Sequence, residues 1–159
     1  MPRMPSSLPD GWRCDPRLPI EALAFRSSVP SLLSLEGLGK INITAWLYLD
    51  EGGVKQVKVN PNITLAQIQA EFGRAPTRDA ETGIHSEGIA GQFFKDNPRF
   101  RVLEIFSERV PCKRMCGPTL RHYFPGVPWS YYYDPNSWRG NDGELIKRAG
   151  EVLRVAYAL

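Results

Sequence analysis

The segment Arg101–Phe106 places the tightest constraint on how this chain can fold. Val102, Leu103, Ile105 and Phe106 give a short strand that is apolar on both faces. Such a strand must be covered above and below, so it belongs at the centre of a sheet with helices on either side. Its surroundings agree. A helical pattern begins near His85, turns Ile89, Ala90, Phe93 and Phe94 inward, and stops at Asn97-Pro98, because the residue before a proline is pushed out of the helical region. A second helix is expected from Cys112 towards Arg121, followed by a strand at Trp129–Tyr133. Strands alternating with helices pair in parallel through crossover helices.

The first half of the chain has a different pattern. Asn42–Leu49 alternates Ile43, Ala45, Leu47 and Leu49 with Thr44, Trp46 and Tyr48, and Val54–Val59 alternates again. Asp50-Glu51-Gly52-Gly53 between them is a tight-turn signal, so the two runs form a β-hairpin. Thr64 is placed to cap a helix through Phe72, with Leu65, Ile68 and Phe72 on one face; residues 73–83 form a polar loop. Residues 1–19, rich in Pro, Ser and Arg, read as an irregular leader or linker. Residues 20–159 read as one domain, a size sufficient for a real core. Short helices are expected at Ile20–Phe25 and Ser31–Leu35, the second stopped by Gly37-Leu38-Gly39. After a polar loop, Asp134–Gly143, the stripe Leu145, Ile146, Ala149, Val152, Leu153 and Tyr157 marks a final helix at Glu144–Ala156.

Bulk properties exclude some classes and leave others open. The net charge of +3 permits a phosphate-bearing partner without requiring one. No apolar run approaches the roughly 20 residues of a membrane span. Met1-Pro2-Arg3-Met4-Pro5 is followed by no apolar stretch, so no signal peptide is expected on it. Three cysteines, two of them at 112 and 116, suit a metal site in a reducing compartment better than a disulfide framework.

Two short segments carry the chemistry: His85-Ser86-Glu87 and Pro111-Cys112-Lys113-Arg114-Met115-Cys116. Residues four apart on a helix share a face, so Cys112 and Cys116 can reach one ion. Pro111 suits a helix start, and the dipole there favours thiolates. Zn²⁺ takes His nitrogen and Cys sulfur readily, and its catalytic sites use three protein ligands plus water. In a helix–strand–helix unit both helix starts come to the same edge of the sheet, which is how His85 can join the two cysteines. Each residue also has a simpler reading. His85 and Glu87 suit a polar first turn, and the cysteines a pair of buried thiols or a disulfide. Cys14 has no Cys or His near it in sequence and reads as a spare thiol.

His85, Glu87, Pro111 and Cys112 match the H-x-E and P-C-x-x-C signature of the cytidine deaminase-like superfamily, which this chain resembles. The departure is three residues rather than two between the cysteines. Ile105 to Cys112 is similar to the strand-to-helix passage of bacterial polymorphic-toxin deaminases. The resemblance implies an α/β three-layer sandwich: a mixed central sheet with an N-terminal β-hairpin and helices on both faces. It further implies one catalytic Zn²⁺ on His85, Cys112 and Cys116, with Glu87 as the proton carrier. The activity implied is conversion of cytosine to uracil in single-stranded DNA, by a toxin domain of a secreted protein acting in a target cell's cytoplasm. A cognate immunity protein would be its partner, and a monomer its working form. RNA bases or free nucleotides are alternative substrates, and a zinc-stabilised binding module is the alternative without catalysis.

Around these motifs, cations alternate with aromatics, as in sites that hold backbone phosphates on Arg and Lys and stack bases on rings. Candidate substrate contacts are Ser86, Ser107, Arg109, Pro111, Lys113, Arg114, Tyr132, Trp138 and Arg139, with Arg121 and His122 near them. By analogy with related deaminases, Asn60 or Asn62 after the hairpin would contact the flipped nucleotide. Against this, at least one ring of Tyr131–Tyr133 should face the core, and Trp46 and Trp129 read as packing residues.

Overall fold

In the computed structural model, the described residues are 14–62, 86–110, 120–122 and 124–159. Helix α1 (Arg17–Ser28) leads through a 3₁₀ turn (Pro30–Leu33) into α2 (Leu35–Lys40). Strands β1 (Ile43–Leu49) and β2 (Lys55–Pro61) follow, then α3 (Ser86–Asp96), β3 (Arg101–Arg109), β4 (Trp129–Tyr133) and α4 (Asp142–Ala156). The described strands form one mixed sheet in the order β2–β1–β3–β4. β1 is antiparallel to both β2 and β3, whereas β3 and β4 run parallel. The expected hairpin and the expected parallel pair are therefore both present. β3 has a neighbour on each side, as its two apolar faces require.

The alternation along β1 divides the core. Ile43, Ala45 and Leu47 join Phe106 beneath Leu18 and Ala22 of α1. On the opposite face Trp46 and Ile105 meet Ala90 and Phe94 of α3, together with Leu120. Tyr132 carries the α1 face on to Tyr157, which packs with Leu38, Ala149 and Leu153 of α2 and α4. The molecule is thus an α/β fold with helices against both faces of a mixed sheet.

Local chemistry explains the boundaries. The Asp50 carboxylate accepts the Gly52 and Val54 N–H groups, both at 2.9 Å, and closes the hairpin turn. Asn141 caps α4 by accepting the Glu144 N–H at 2.9 Å, so that helix starts two residues before Glu144. At the far end of α3, Asn97 Nδ2 donates to the Phe93 carbonyl.

Three expectations are corrected. α1 starts at Arg17, drawing Arg17, Leu18 and Pro19 out of the presumed leader, and Leu18 is fully buried. β3 runs on to Arg109, three residues past Phe106, because Ser107 and Glu108 are buried with their polar groups satisfied. Gly37-Leu38-Gly39 does not break a helix but lies within α2. Ser34 caps that helix through the Gly37 N–H, and the glycines serve close approach: a Cβ on Gly39 would strike the Ile146 carbonyl. Gly150 of α4 is pressed against the Leu35 carbonyl in the same way. The expected helices at Thr64–Phe72 and from Cys112 lie outside the described residues, except that Leu120–His122 are helical.

Candidate functional site

Four residues separate the end of α3 from the start of β3, and the C-terminal rings Phe93 and Phe94 of α3 pack on Tyr48, with Phe100 just ahead of β3 against Phe93. The helix therefore runs antiparallel to β3, and its first turn points towards the end where β3 and β4 finish. Ser86 and Glu87 belong to that turn. His85, which precedes it in sequence, lies outside the described residues, as do Pro111, Cys112, Lys113, Arg114 and Cys116. Among the described residues no three His, Cys, Asp or Glu stand together as a metal site. In open α/β sheets, ligands bind outside the carboxyl ends of parallel strands; here that edge is where Arg109 and Tyr133 end.

A polar row replaces the aromatic core at this edge. Asn60, Thr44 and Ser107 lie side by side across β2, β1 and β3, each almost wholly buried. Thr44 Oγ1 donates to the Asn60 carbonyl at 3.3 Å and accepts the Trp46 indole N–H at 3.1 Å. Asn42, just ahead of β1, accepts the Arg109 N–H on its Oδ1 at 3.0 Å and donates from Nδ2 to Ser107 Oγ at 3.3 Å. Its backbone exchanges two hydrogen bonds with Asn62, through the Asn62 side chain at 2.9 Å and main chain at 3.0 Å. Ser107 Oγ donates to the Arg109 carbonyl at 2.5 Å. Asn62 and Ser107, expected at the substrate, are thus engaged in holding strand ends together.

On the opposite face the same strand end is held by charge. Glu108 and Arg26 form an ion pair with both side chains fully buried. Arg26 Nε and Nη2 donate to the two carboxylate oxygens at 2.9 and 2.7 Å. Glu108 also accepts the Ile43 N–H at 2.9 Å and the Tyr157 hydroxyl at 2.6 Å. The remaining Arg26 donors reach the carbonyls of Leu32, Gly37 and Ile41. Burial opposes the charge on Arg26, but hydrogen bonding and attraction to Glu108 outweigh it and raise its pKa. Burial and the negative charge of Glu108 push the Tyr157 hydroxyl pKa well upward, so it stays a donor. Each charge is paired and hydrogen-bonded, the condition under which ions are tolerated in a core.

The other candidate contacts separate by environment. Tyr132 packs edge-on between Phe106 and Tyr157, on the α1 face, and burial raises its pKa to about 12. Trp138 stacks on Tyr133 at 5.5 Å, with the Arg148 guanidinium 4.3 Å from its ring centre. Arg139, Arg121 and His122 are exposed. Arg109 lines an open groove of about 370 Å³ with Tyr133, Pro135, Trp138 and the first turns of α4. Cys14 sits against the α1-side core, where burial lifts its thiol to about 12 and makes it a poor nucleophile.

Sequence reasoning passed over Asn42, Arg26 and Glu108. Two signals were there to read. Arg26 continues the Leu18–Ala22 spacing onto the buried face of α1, and Glu108 stands two residues past a strand read as central. Asn42 left no signal, because its role comes from strands that meet only in the fold. Comparison with protein-family models, curated proteins and solved structures finds no match to this chain.

Proposed function

We propose that this chain is a zinc-dependent deaminase that converts cytosine to uracil in single-stranded DNA, as a toxin domain opposed by an immunity protein. The observation that carries the reading is topological. The helix that opens with Ser86-Glu87 leads through a short connection into β3, so its first turn lies towards the end of the sheet where β3 finishes, and Pro111-Cys112 follow that strand in sequence. That edge is polar and lies beyond the carboxyl ends of the parallel pair β3–β4. One imidazole and two thiolates are a donor set that suits a catalytic zinc with its fourth position open. Exposed Arg121 and Arg139, with Arg109 in its groove, supply cations for a phosphate backbone, and exposed His122 stands beside Arg121 in sequence.

His85, Cys112 and Cys116 would hold the ion. Bound zinc supplies the electrophilic activation that makes water a nucleophile near neutral pH. Glu87 accepts a proton from that water and delivers it to the ring nitrogen N3, then assists protonation of the departing amine. Cytosine and water become uracil and ammonia: a bond forms from C4 to oxygen, the bond from C4 to the exocyclic nitrogen breaks, one water proton stays on N3 and the other leaves with the amine as ammonia.

The test offers single-stranded DNA, duplex DNA, RNA and free cytidine to the zinc-loaded protein and measures uracil by mass. Conversion of single-stranded DNA alone is expected, with a loss of about 10²–10⁴-fold in Glu87→Ala. Conversion of free cytidine alone would overturn the substrate, and full activity in Glu87→Ala would overturn the mechanism. One bound zinc with no conversion of any substrate would favour a binding module instead.

A further inference from the structure

The groove beside the ends of β3 and β4 joins apolar walls to two opposite charges that do not meet. It encloses about 370 Å³, and Tyr133, Pro135, Trp138, Leu145, Ile146 and Ala149 make its walls. Trp138 stacks on Tyr133 with 12° between the ring planes, and the Arg148 guanidinium lies over the Trp138 ring, so that wall is held by the fold itself. Arg109, which also lines the groove, is half-buried. Its backbone is bonded to Asn42 and Ser107, but its guanidinium forms no hydrogen bond or ion pair with a described residue. Asp142, exposed in the first turn of α4, lines the same groove and is likewise unpaired among the described residues.

We propose that this groove binds a small monocarboxylate whose apolar body is one aromatic ring or a branched alkyl group. The planar fork of a guanidinium matches a carboxylate with two parallel hydrogen bonds, and a half-buried one has little water to replace them. One cation balances one negative charge. Asp142 at the rim opposes a second, which sets a carboxylate above a doubly charged phosphate ester. The walls then take the apolar body. The volume stands at the lower end of the range for small-ligand pockets, about 300–1,000 Å³, whereas a stable protein contact needs a far broader face, about 800 Å² a side. The site is independent of the deaminase reading, with which it shares Arg109, so a bound carboxylate and a DNA phosphate would compete for that residue.

The experiment is calorimetric titration of the full chain at neutral pH with phenylacetate, isovalerate, phenylacetamide and phenyl phosphate. Both carboxylates are expected to bind at one site, and phenylacetamide, the uncharged counterpart, at least about tenfold more weakly. Arg109→Met should weaken phenylacetate by about 10- to 100-fold, the loss expected of a charge-assisted hydrogen bond. Arg109→Lys, which keeps the charge without the fork, should fall between, and it carries the test if Arg109→Met does not fold. Leu145→Trp, which fills the groove from α4, should abolish binding by a route that leaves Arg109 in place. Phenyl phosphate, with nearly two charges, should bind more weakly than phenylacetate, and Asp142→Asn should narrow that gap. Binding of neither carboxylate, equal binding of phenylacetamide, or unchanged affinity in Arg109→Met would overturn the site. An unchanged gap in Asp142→Asn would overturn the role of Asp142 in selecting a single charge.

Discussion

Under α3 the sheet is sealed by rings: Trp46, Tyr48, Phe93, Phe94, Phe100 and Phe124 meet at centroid separations of 5.1–6.4 Å. Under α1 and α4 it is sealed by aliphatic side chains with Phe106, Tyr132 and Tyr157, next to a buried ion pair. Dispersion among rings is spread over many weak contacts, so loss of one partner is shared. The Arg26–Glu108 pair is different. Each ion is tolerated only while the other is present, because an uncompensated charge in a core is costly. The aromatic face should therefore bend under substitution, and the charged face should fail abruptly.

The sharpest way to break this contrast is to place the same residue on both faces. Arg26→Met leaves Glu108 buried without its counter-ion and should cost about 3–5 kcal/mol in urea unfolding. The double variant Arg26→Met/Glu108→Leu removes both charges and should recover most of that loss. A double variant no more stable than the single would show that the network contributes more than charge balance.

Tyr157→Phe removes one donor from Glu108 while the ion pair remains. It should cost about 1.5–3 kcal/mol at neutral pH, the range for a hydrogen bond to a charged group. The pH dependence has a defined sign. Burial and Glu108 raise the Tyr157 pKa in the folded state, so its contribution is complete below the ordinary tyrosine value of about 10. Above that value the unfolded chain ionises while the folded one stays protonated, and stability falls as pH rises. Thermal unfolding from pH 8 to 11 should show a shallower loss in Tyr157→Phe than in the parent chain.

The smallest effect belongs to the aromatic face. Phe94→Met roughly conserves volume in a cluster with many partners and should cost less than about 1.5 kcal/mol. If it equalled Arg26→Met, the two faces would not differ in kind.

Much of the architecture was legible in the chain. Alternation at Ile43–Leu49, the Asp50–Gly53 turn, the doubly apolar β3 and the stripe of α4 are local patterns, and hydrophobic burial acts on them locally. What misled was local chemistry with a distant cause. Gly37-Leu38-Gly39 resembles a helix breaker until α2 and α4 are seen to cross where a Cβ on Gly39 would collide with backbone. β3 seemed to stop at Phe106 because Ser107 and Glu108 are polar, and their partners lie on β1, α1 and α4. Tyr132 packs between Phe106 and Tyr157, and Trp138 stacks on Tyr133, partners that only the fold brings together.

The candidate site divides along the same line. By itself the sequence supplied the residues of the proposed site, His85 with Cys112 and Cys116 and the carboxylate of Glu87 two residues after the histidine, because the chemistry a side chain offers belongs to residue type. Only the tertiary structure decided that α3 runs antiparallel to β3, so that its first turn and the end of that strand share one edge. Only there do Asn42, Arg26 and Tyr157 converge on Ser107–Arg109. Hydrogen bonds and ion pairs depend on distance in space, and residues separated by 49 to 82 positions come within 3.3 Å only once the sheet has formed.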